Sequence, residues 1–382
     1  MVRVAMSSFA FNNEGGIERV SYELALRLAD RVDMTLVATD VAPPPAAPLE
    51  WIKVDAVSRP GFVIPVTYSR AATRALTGRR FDIVHNQGGC ATRAQDVITA
   101  HSCHRAWWEM KFRQGEALRA IANPFHHAVL RVEQANYRPE RFRRAIAVSP
   151  SVARELTQYY GVDPDRITVI PNAVDVARFQ PMDAAARRAR IRGRHGYSDD
   201  DVVLLFVGKE FRRKGLTAII SALPSLPETV KLLVVGGDDP AAFRSQAAKA
   251  GIGSRVTFAG HSPAVEDYFQ AGDLFVFPTA YEAFGLVMLE AAAAGLPVLA
   301  TPLGVAEEFV VDGRNGALIE RDGASIARAV APLAADRELR RRMGENARVD
   351  AGGYTSWKTV AARTLDVYEE VVEAKRRDGS LT

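Results

Sequence analysis

Cysteine is almost absent from this 382-residue chain: only Cys90 and Cys103 occur, in no paired motif. That argues against a disulfide framework or a cysteine metal site and reads both thiols as small buried residues. No apolar run reaches the roughly 18 residues needed to span a bilayer. Met1 to Ser8 runs straight into a strand pattern without a signal-peptide profile, so the expectation is a cytoplasmic protein. No GxGxxG follows that strand, which speaks against a dinucleotide site of the usual kind. No His, Cys, Asp or Glu cluster has metal-ligand spacing, and no period of about 20–50 residues marks a solenoid. Apolar and charged residues are not short, at 48% and 25%, so a mainly disordered chain is excluded.

What is present alternates. Short β-rich runs ending in small residues are followed by helical runs, beginning with Val2–Ser8, Ile17–Ala29 and Met34–Thr39. This is the pattern of a parallel sheet wrapped by helices. Further strands are expected at 81–85, 97–100, 145–149 and 167–171, with a proline-rich surface loop at 43–48. A second series starts at 202–208 and continues at 230–237, 256–260, 274–278, 297–301 and 316–319, each a continuous apolar run as expected of strands covered on both faces. The length suits two domains. The strand register stops over 174–195, where an Arg/Ala-rich helical stretch follows and the linker is expected, and 356–376 repeats apolar residues near helical spacing.

The net charge of +4 is unevenly spread. Residues 105–144 hold nine Lys or Arg against four Glu, together with Trp107, Trp108, Phe112, Phe125, Tyr137 and Phe142. That mixture suits a face for anionic membrane or an acidic ligand, and equally a solvated pair of helices.

Three motifs carry chemistry. Gly15 and Gly16 stand just before a helix, where glycine admits a ligand close to the backbone. After the strand ending at Gly208 come Lys209, Arg212, Arg213 and Lys214, a cationic turn at the strand edge where open α/β sheets collect ligands. In the stretch 278–297, which holds Glu282, a strand runs into a turn and a helix is expected to begin near Phe284 and Gly285, its free amides able to face phosphate oxygens. Glu290 follows eight residues after Glu282, so a fully helical stretch would put both acids on one face.

The Glu282–Glu290 block resembles the EX7E motif of glycosyltransferase family 4, and the likeness extends over nearly the whole chain. Also similar are Gly15-Gly16, Thr99–Ser102, Val169–Asp175, Gly208–Gly215, Thr301–Glu307 and Asp312–Gly316. The resemblance implies an α/β GT-B fold, two Rossmann-like lobes with parallel sheets facing across a cleft. An acceptor-binding lobe over 1–178 would be completed by a helix at 357–378, and a donor-binding lobe would span 179–356. It implies a retaining hexosyltransferase that takes a UDP- or GDP-linked sugar and delivers it to a glycan, lipid-linked or other envelope acceptor, by front-face transfer. Lys209 and Lys214 would contact the donor diphosphate, Glu282 the sugar, and Glu290 the ribose hydroxyls. The amides at Phe284, Gly285 and Leu286 would meet phosphate, and Gly16 would approach it from the other lobe. His101 matches the family's active-site histidine. The catalytic set is then His101, Glu282, Lys209 and Lys214, with cations in place of a metal, no cofactor and no nucleic acid partner. Peripheral contact with the inner membrane face would run through 105–144.

Departures from the family pattern are Lys209 for the commoner Arg, Ala173 for Gly, and a single glycine at Gly304. His85, His104, His126 and His127 read as structural. Two rivals share this pattern: a GT-B epimerase or phosphorylase, and a non-catalytic nucleotide-sugar-binding protein.

Overall fold

Two parallel sheets, each flanked by helices, organise the computed structural model, which describes residues 1–12, 16–42, 49–57, 61–88, 92–93, 95–115 and 117–381. Gly15, Cys90, Glu116 and the 43–48 loop lie outside the described residues. The chain divides into one unit of Met1–Asn172 with Trp357–Thr382 and a second of Ala173–Ser356.

The first unit runs β1 (Arg3–Ser7), β2 (Ala10–Asn12), α1 (Gly16–Leu28), β3 (Asp33–Ala38), β4 (Asp40–Ala42), β5 (Glu50–Lys53), α2 (Ile64–Leu76), β6 (Ile83–Gln87) and β7 (Val97–Ala100). It continues with α3 (His104–Arg113), α4 (Ala117–Ala122), α5 (Pro124–Asn136), β8 (Arg144–Ala147), α6 (Pro150–Tyr160) and β9 (Ile167–Val169). Among the described residues its main sheet is ordered β5-β3-β1-β6-β7-β8-β9, with every pairing parallel. The order reverses between β3 and β6, on either side of β1. Val20, Leu24 and Leu28 are buried at four-residue intervals, the apolar stripe that seats α1.

The second unit comprises α7 (Val176–Phe179), α8 (Ala184–His195), β10 (Val202–Val207), α9 (Leu216–Ala222), β11 (Val230–Val235), α10 (Ala241–Lys249), β12 (Val256–Gly260) and α11 (Val265–Ala271). Then follow β13 (Leu274–Phe277), α12 (Leu286–Ala293), β14 (Val298–Ala300), α13 (Ala306–Phe309), β15 (Gly316–Leu318), α14 (Gly323–Ala335) and α15 (Arg337–Tyr354). Its sheet order is β12-β11-β10-β13-β14-β15. Every residue of β10 is buried, as expected for an apolar, β-branched run with helices on both faces.

The segment expected as a linker is part of the second unit's packing. Arg188 and Arg192 of α8 reach Asp273 at 2.7 and 3.1 Å, and Asp273 also accepts the Val203 amide at 2.7 Å. The division falls at Asn172–Ala173, and the arginine-rich stretch is a docked helix. The strands β2, β4 and β5 went unread because they are short and carry no apolar run; β5 is a largely exposed edge. The last helix, α16 (Trp357–Arg377), lies against α1 and β6 in the first unit. There Lys375 Nζ donates to the Asp82 carbonyl at 2.8 Å and pairs with Asp96 at 3.1 Å.

Candidate functional site

In each sheet the central strand sends the chain to one side and later elements to the other. Ligands of open α/β sheets bind at that switch, beyond the carboxyl ends of the strands. In the second unit the switch is β10/β13, and two turns issue from it, 208–215 and 278–285. They meet at Gly215, where an added Cβ would lie 2.1 Å from the Pro278 carbonyl oxygen. Glu210 sits at φ +56°, a left-handed conformation uncommon for a side-chain-bearing residue.

Lys214 folds back over Gly208 with its ammonium 4.9 Å from the centre of the Phe277 ring. Burial pulls its pKa below the ordinary lysine value, and the carboxylate of Glu282 opposes that most strongly; Arg213 lowers it further, while Glu210 and Glu290 raise it. Arg213 ties the two turns together. It pairs with Glu210 at 2.8 Å, donates to the Tyr281 carbonyl, and lies 3.8 Å from Glu282 Oε2. The sequence counted Arg213 in the cationic cluster but assigned it no role, because nothing in Arg212-Arg213 tells the inward side chain from the exposed one. Lys209 is exposed, with no ion pair among the described residues.

Glu282 Oε2 is buried and accepts no hydrogen bond among the described residues. Buried acceptors are nearly always satisfied, so this oxygen is suited to a ligand hydroxyl or amine. Gly285, at φ +84°, caps α12 without a side-chain hydrogen bond. An anion is favoured at such an end by the helix dipole and unpaired amides. The buried Phe284 is held by the Val305 amide, which donates to its carbonyl at 2.6 Å.

One expectation needs correction. The helix starts at Leu286, so Glu282 lies in the preceding turn and the two acids do not share a helical face. Both act on Lys214 nonetheless, Glu282 from the turn and the buried Glu290 from within α12. The left-handed turn at Gly285 takes the place of helical periodicity.

In the first unit the switch is β1/β6, and a pocket of about 280 Å³ opens beyond β1, β6 and β7. His101 follows β7, buried, with Nε2 2.8 Å from Gln87 Oε1. That oxygen only accepts, so the proton is assigned to Nε2 and Nδ1 is left unprotonated. The Gln87 amide then donates to His85 Nε2 at 3.3 Å, Thr99 donates to the same nitrogen at 2.7 Å, and His85 Nδ1 donates to Tyr368 of α16 at 2.7 Å. Burial lowers His101 to about 4, and burial with its neighbour His101 lowers His85 to about 3, so both rings are neutral.

The sequence reading missed Glu133. It lines the same pocket from α5, and its carboxylate accepts the His104 amide at 3.1 Å, capping α3, and the Tyr160 hydroxyl. Burial raises it to about 7 against those hydrogen bonds. His104, read as structural, also lines the pocket and is lowered by burial to about 4. Only the tertiary path of α5 reveals this grouping, since nothing local marks a glutamate on that helix.

Gly16 opens α1 and is exposed, with free space where a Cβ would stand. Thus Lys209, Lys214, Glu282, Phe284, Gly285, Leu286 and Glu290 gather at the second unit's switch, and His101 and Gly16 belong to the first unit. In the 105–144 segment, Lys111 lies over Trp107 at 4.5 Å and Arg105 over Trp108 at 5.2 Å, while Leu118 and Ile121 of α4 are 85% and 50% exposed. Among the described residues no group of three or more His, Cys, Asp or Glu could hold a metal ion, and no helix is long and apolar enough to cross a membrane.

Comparison with known proteins follows the same two-part division. The family described as glycosyl transferases group 1 matches residues 187–350, and glycosyltransferase family 4 matches residues 14–178. The D-inositol 3-phosphate glycosyltransferase of Streptomyces scabiei (strain 87.22) is 30% identical over 403 residues, which cover 95% of this chain and 88% of that protein. Matches to other curated relatives of that name span only about half their length, 57% and 52% in two of them. Among solved structures, WaaG, a glycosyltransferase involved in lipopolysaccharide biosynthesis, superposes with a TM-score of 0.80 at 24% identity, over 96% of this chain and 99% of that one. HepE of Anabaena, solved with UDP and glucose, gives 0.75 at 19% identity, over 97% and 100%.

Proposed function

The chain belongs to the group 1 glycosyltransferases of family 4, with their GT-B fold, and from that premise we propose that it transfers a hexose from a UDP- or GDP-linked donor, with retention, to a glycan or lipid-linked acceptor. The observation that carries this is the buried Glu282 Oε2, which accepts no hydrogen bond among the described residues, beside Lys214 and Arg213 and next to the start of α12, where Gly285 brings no side-chain cap.

Breaking the bond from anomeric carbon to phosphate oxygen loads negative charge onto the departing diphosphate. Fixed cations and oriented amides stabilise that charge as it develops. Lys214 supplies a cation held in place by packing, Lys209 an exposed one, and the amides at Phe284, Gly285 and Leu286 an oriented set of donors. Glu282 takes a hydroxyl of the donor sugar, and Glu290 the ribose hydroxyls. Among the acids of this turn, Glu282 alone is assigned to the sugar, so no carboxylate pair supports a double displacement. Front-face transfer follows, the leaving phosphate oxygen accepting the proton of the incoming hydroxyl. His101, neutral and held by Gln87, contributes an acceptor nitrogen to a sugar hydroxyl.

The charge a divalent ion would bring is assigned to these lysines, so turnover in excess EDTA should match turnover without it. The exposed Leu118 and Ile121 amid the basic 105–144 segment support peripheral docking at the inner membrane face. The test of the donor assignment is Lys214→Ala, assayed for nucleotide release from UDP- and GDP-sugars. Loss of both UDP affinity and turnover supports it, and unchanged kinetics contradict it.

A further inference from the structure

The first-unit pocket has a charge character of its own. Among its described lining residues the formal charges are Glu18 and Glu133, both acidic, and neither Lys nor Arg is present. His101 and His104, each lowered to about 4, add no positive charge at neutral pH. Glu133, near 7, is partly ionised there, and its oxygens are already engaged by the His104 amide and Tyr160. A phosphate placed in such a pocket sheds its hydration, meets no counter-charge among the described lining residues and is repelled by the acids.

A sugar hydroxyl, in contrast, finds an acceptor in His101 Nδ1, which has no hydrogen bond among the described residues. Most of the remaining wall is hydrocarbon, from Phe9, Ile17, Ile64, Pro65, Phe125 and Val129. Phe9, Ile17 and Phe125 stay 39%, 37% and 38% exposed, so the apolar lining continues to the surface.

We infer that the acceptor bound here is an uncharged glycoside whose sugar carries a hydrocarbon aglycone, and not a sugar or cyclitol phosphate. The inference rests on the glycosyltransferase function proposed above and deepens it. It sets this chain apart from its relatives named for D-inositol 3-phosphate. The polar end of the pocket selects a neutral hydroxyl, and the apolar wall takes the first carbons of the aglycone.

Calorimetric titration of the full chain tests this with three probes: n-octyl β-D-glucopyranoside below its critical micelle concentration, D-glucose and D-inositol 3-phosphate. The octyl glucoside should bind at least about tenfold more tightly than glucose, the return expected from burying roughly two methylenes. With UDP in saturating excess to occupy the cationic turn at 208–215, inositol 3-phosphate should show no saturable binding. Val129→Asp should abolish the preference, and so should Phe125→Ser, a change at a half-exposed position that leaves the core intact. UDP and GDP titrated into the same samples report the donor function separately. Inositol 3-phosphate binding as tightly as the octyl glucoside overturns the inference, as does a preference that survives both substitutions. If neither nucleotide binds, the donor assignment fails while the contrast among the three probes still decides the pocket. Sedimentation with phosphatidylcholine vesicles, with and without a neutral glucosyl diacylglycerol, separates a bilayer glycolipid from a soluble glycoside. Retention only with the glycolipid supports the first, and no retention beside tight octyl glucoside binding supports the second.

Discussion

The two sheet switches share a topology and differ in chemistry. At β10/β13 the chain places Lys209, Arg213, Lys214 and a helix start, all suited to an anion. At β1/β6 it places neutral histidines, two glutamates and a hydrocarbon wall. The sheet decides where a ligand can sit, and a few side chains on the turns decide which ligand it is. Interactions that separate the two switches are also the ones whose removal tells them apart.

The largest effect is expected from Lys214→Ala, which should lower kcat/KM by about 100- to 1000-fold, the scale of losing one preorganised group at a developing oxyanion. UDP affinity should fall with it, in a titration of the purified variant. His101→Ala should lower turnover by about 10- to 100-fold, the scale of one or two buried hydrogen bonds, while UDP affinity stays within about twofold. Equal losses of UDP binding in both variants would break the distinction between the switches. Arg213→Ala should cost about tenfold in kcat/KM through loosening of the paired turns. Lys209→Ala, at an exposed position, should raise the donor KM only a few-fold, about the scale of a surface charge contact.

A smaller effect should appear as stability against pH. Glu133 lies near 7 in the folded chain, against 4.5 for an ordinary glutamate. The folded state therefore holds its proton more tightly, and that stabilisation is full below about pH 4.5 and lost as pH rises through 7. Glu133→Gln should therefore gain in melting temperature relative to the parent chain between pH 5 and 8.5. A gap between the two proteins that does not change with pH would remove Glu133 as the ionising group of the pocket.

Much of the fold was legible because parallel strands covered on both faces leave continuous apolar runs, as in Val202–Val207. The helical run of α8 was legible too, but its docking was not, because its hold on the second unit comes from Arg188 and Arg192 meeting Asp273, a contact that spans more than 80 residues of chain. The donor turn could be read as a motif, but its geometry could not. Helical periodicity predicted one face for Glu282 and Glu290, whereas a left-handed Gly285 turns the chain before the helix begins. The pocket's charge balance was the least legible feature, since Glu133 and His104 reach it through the packing of α3 and α5.

The central claim, that the turn at 208–215 and the start of α12 hold the donor diphosphate, is tested most directly by a crystal structure of the chain with UDP. The account predicts diphosphate oxygens within about 3.2 Å of Lys214 Nζ and of the amides at Gly285 or Leu286. UDP bound with its diphosphate away from both, or seated in the β1/β6 pocket, would contradict it.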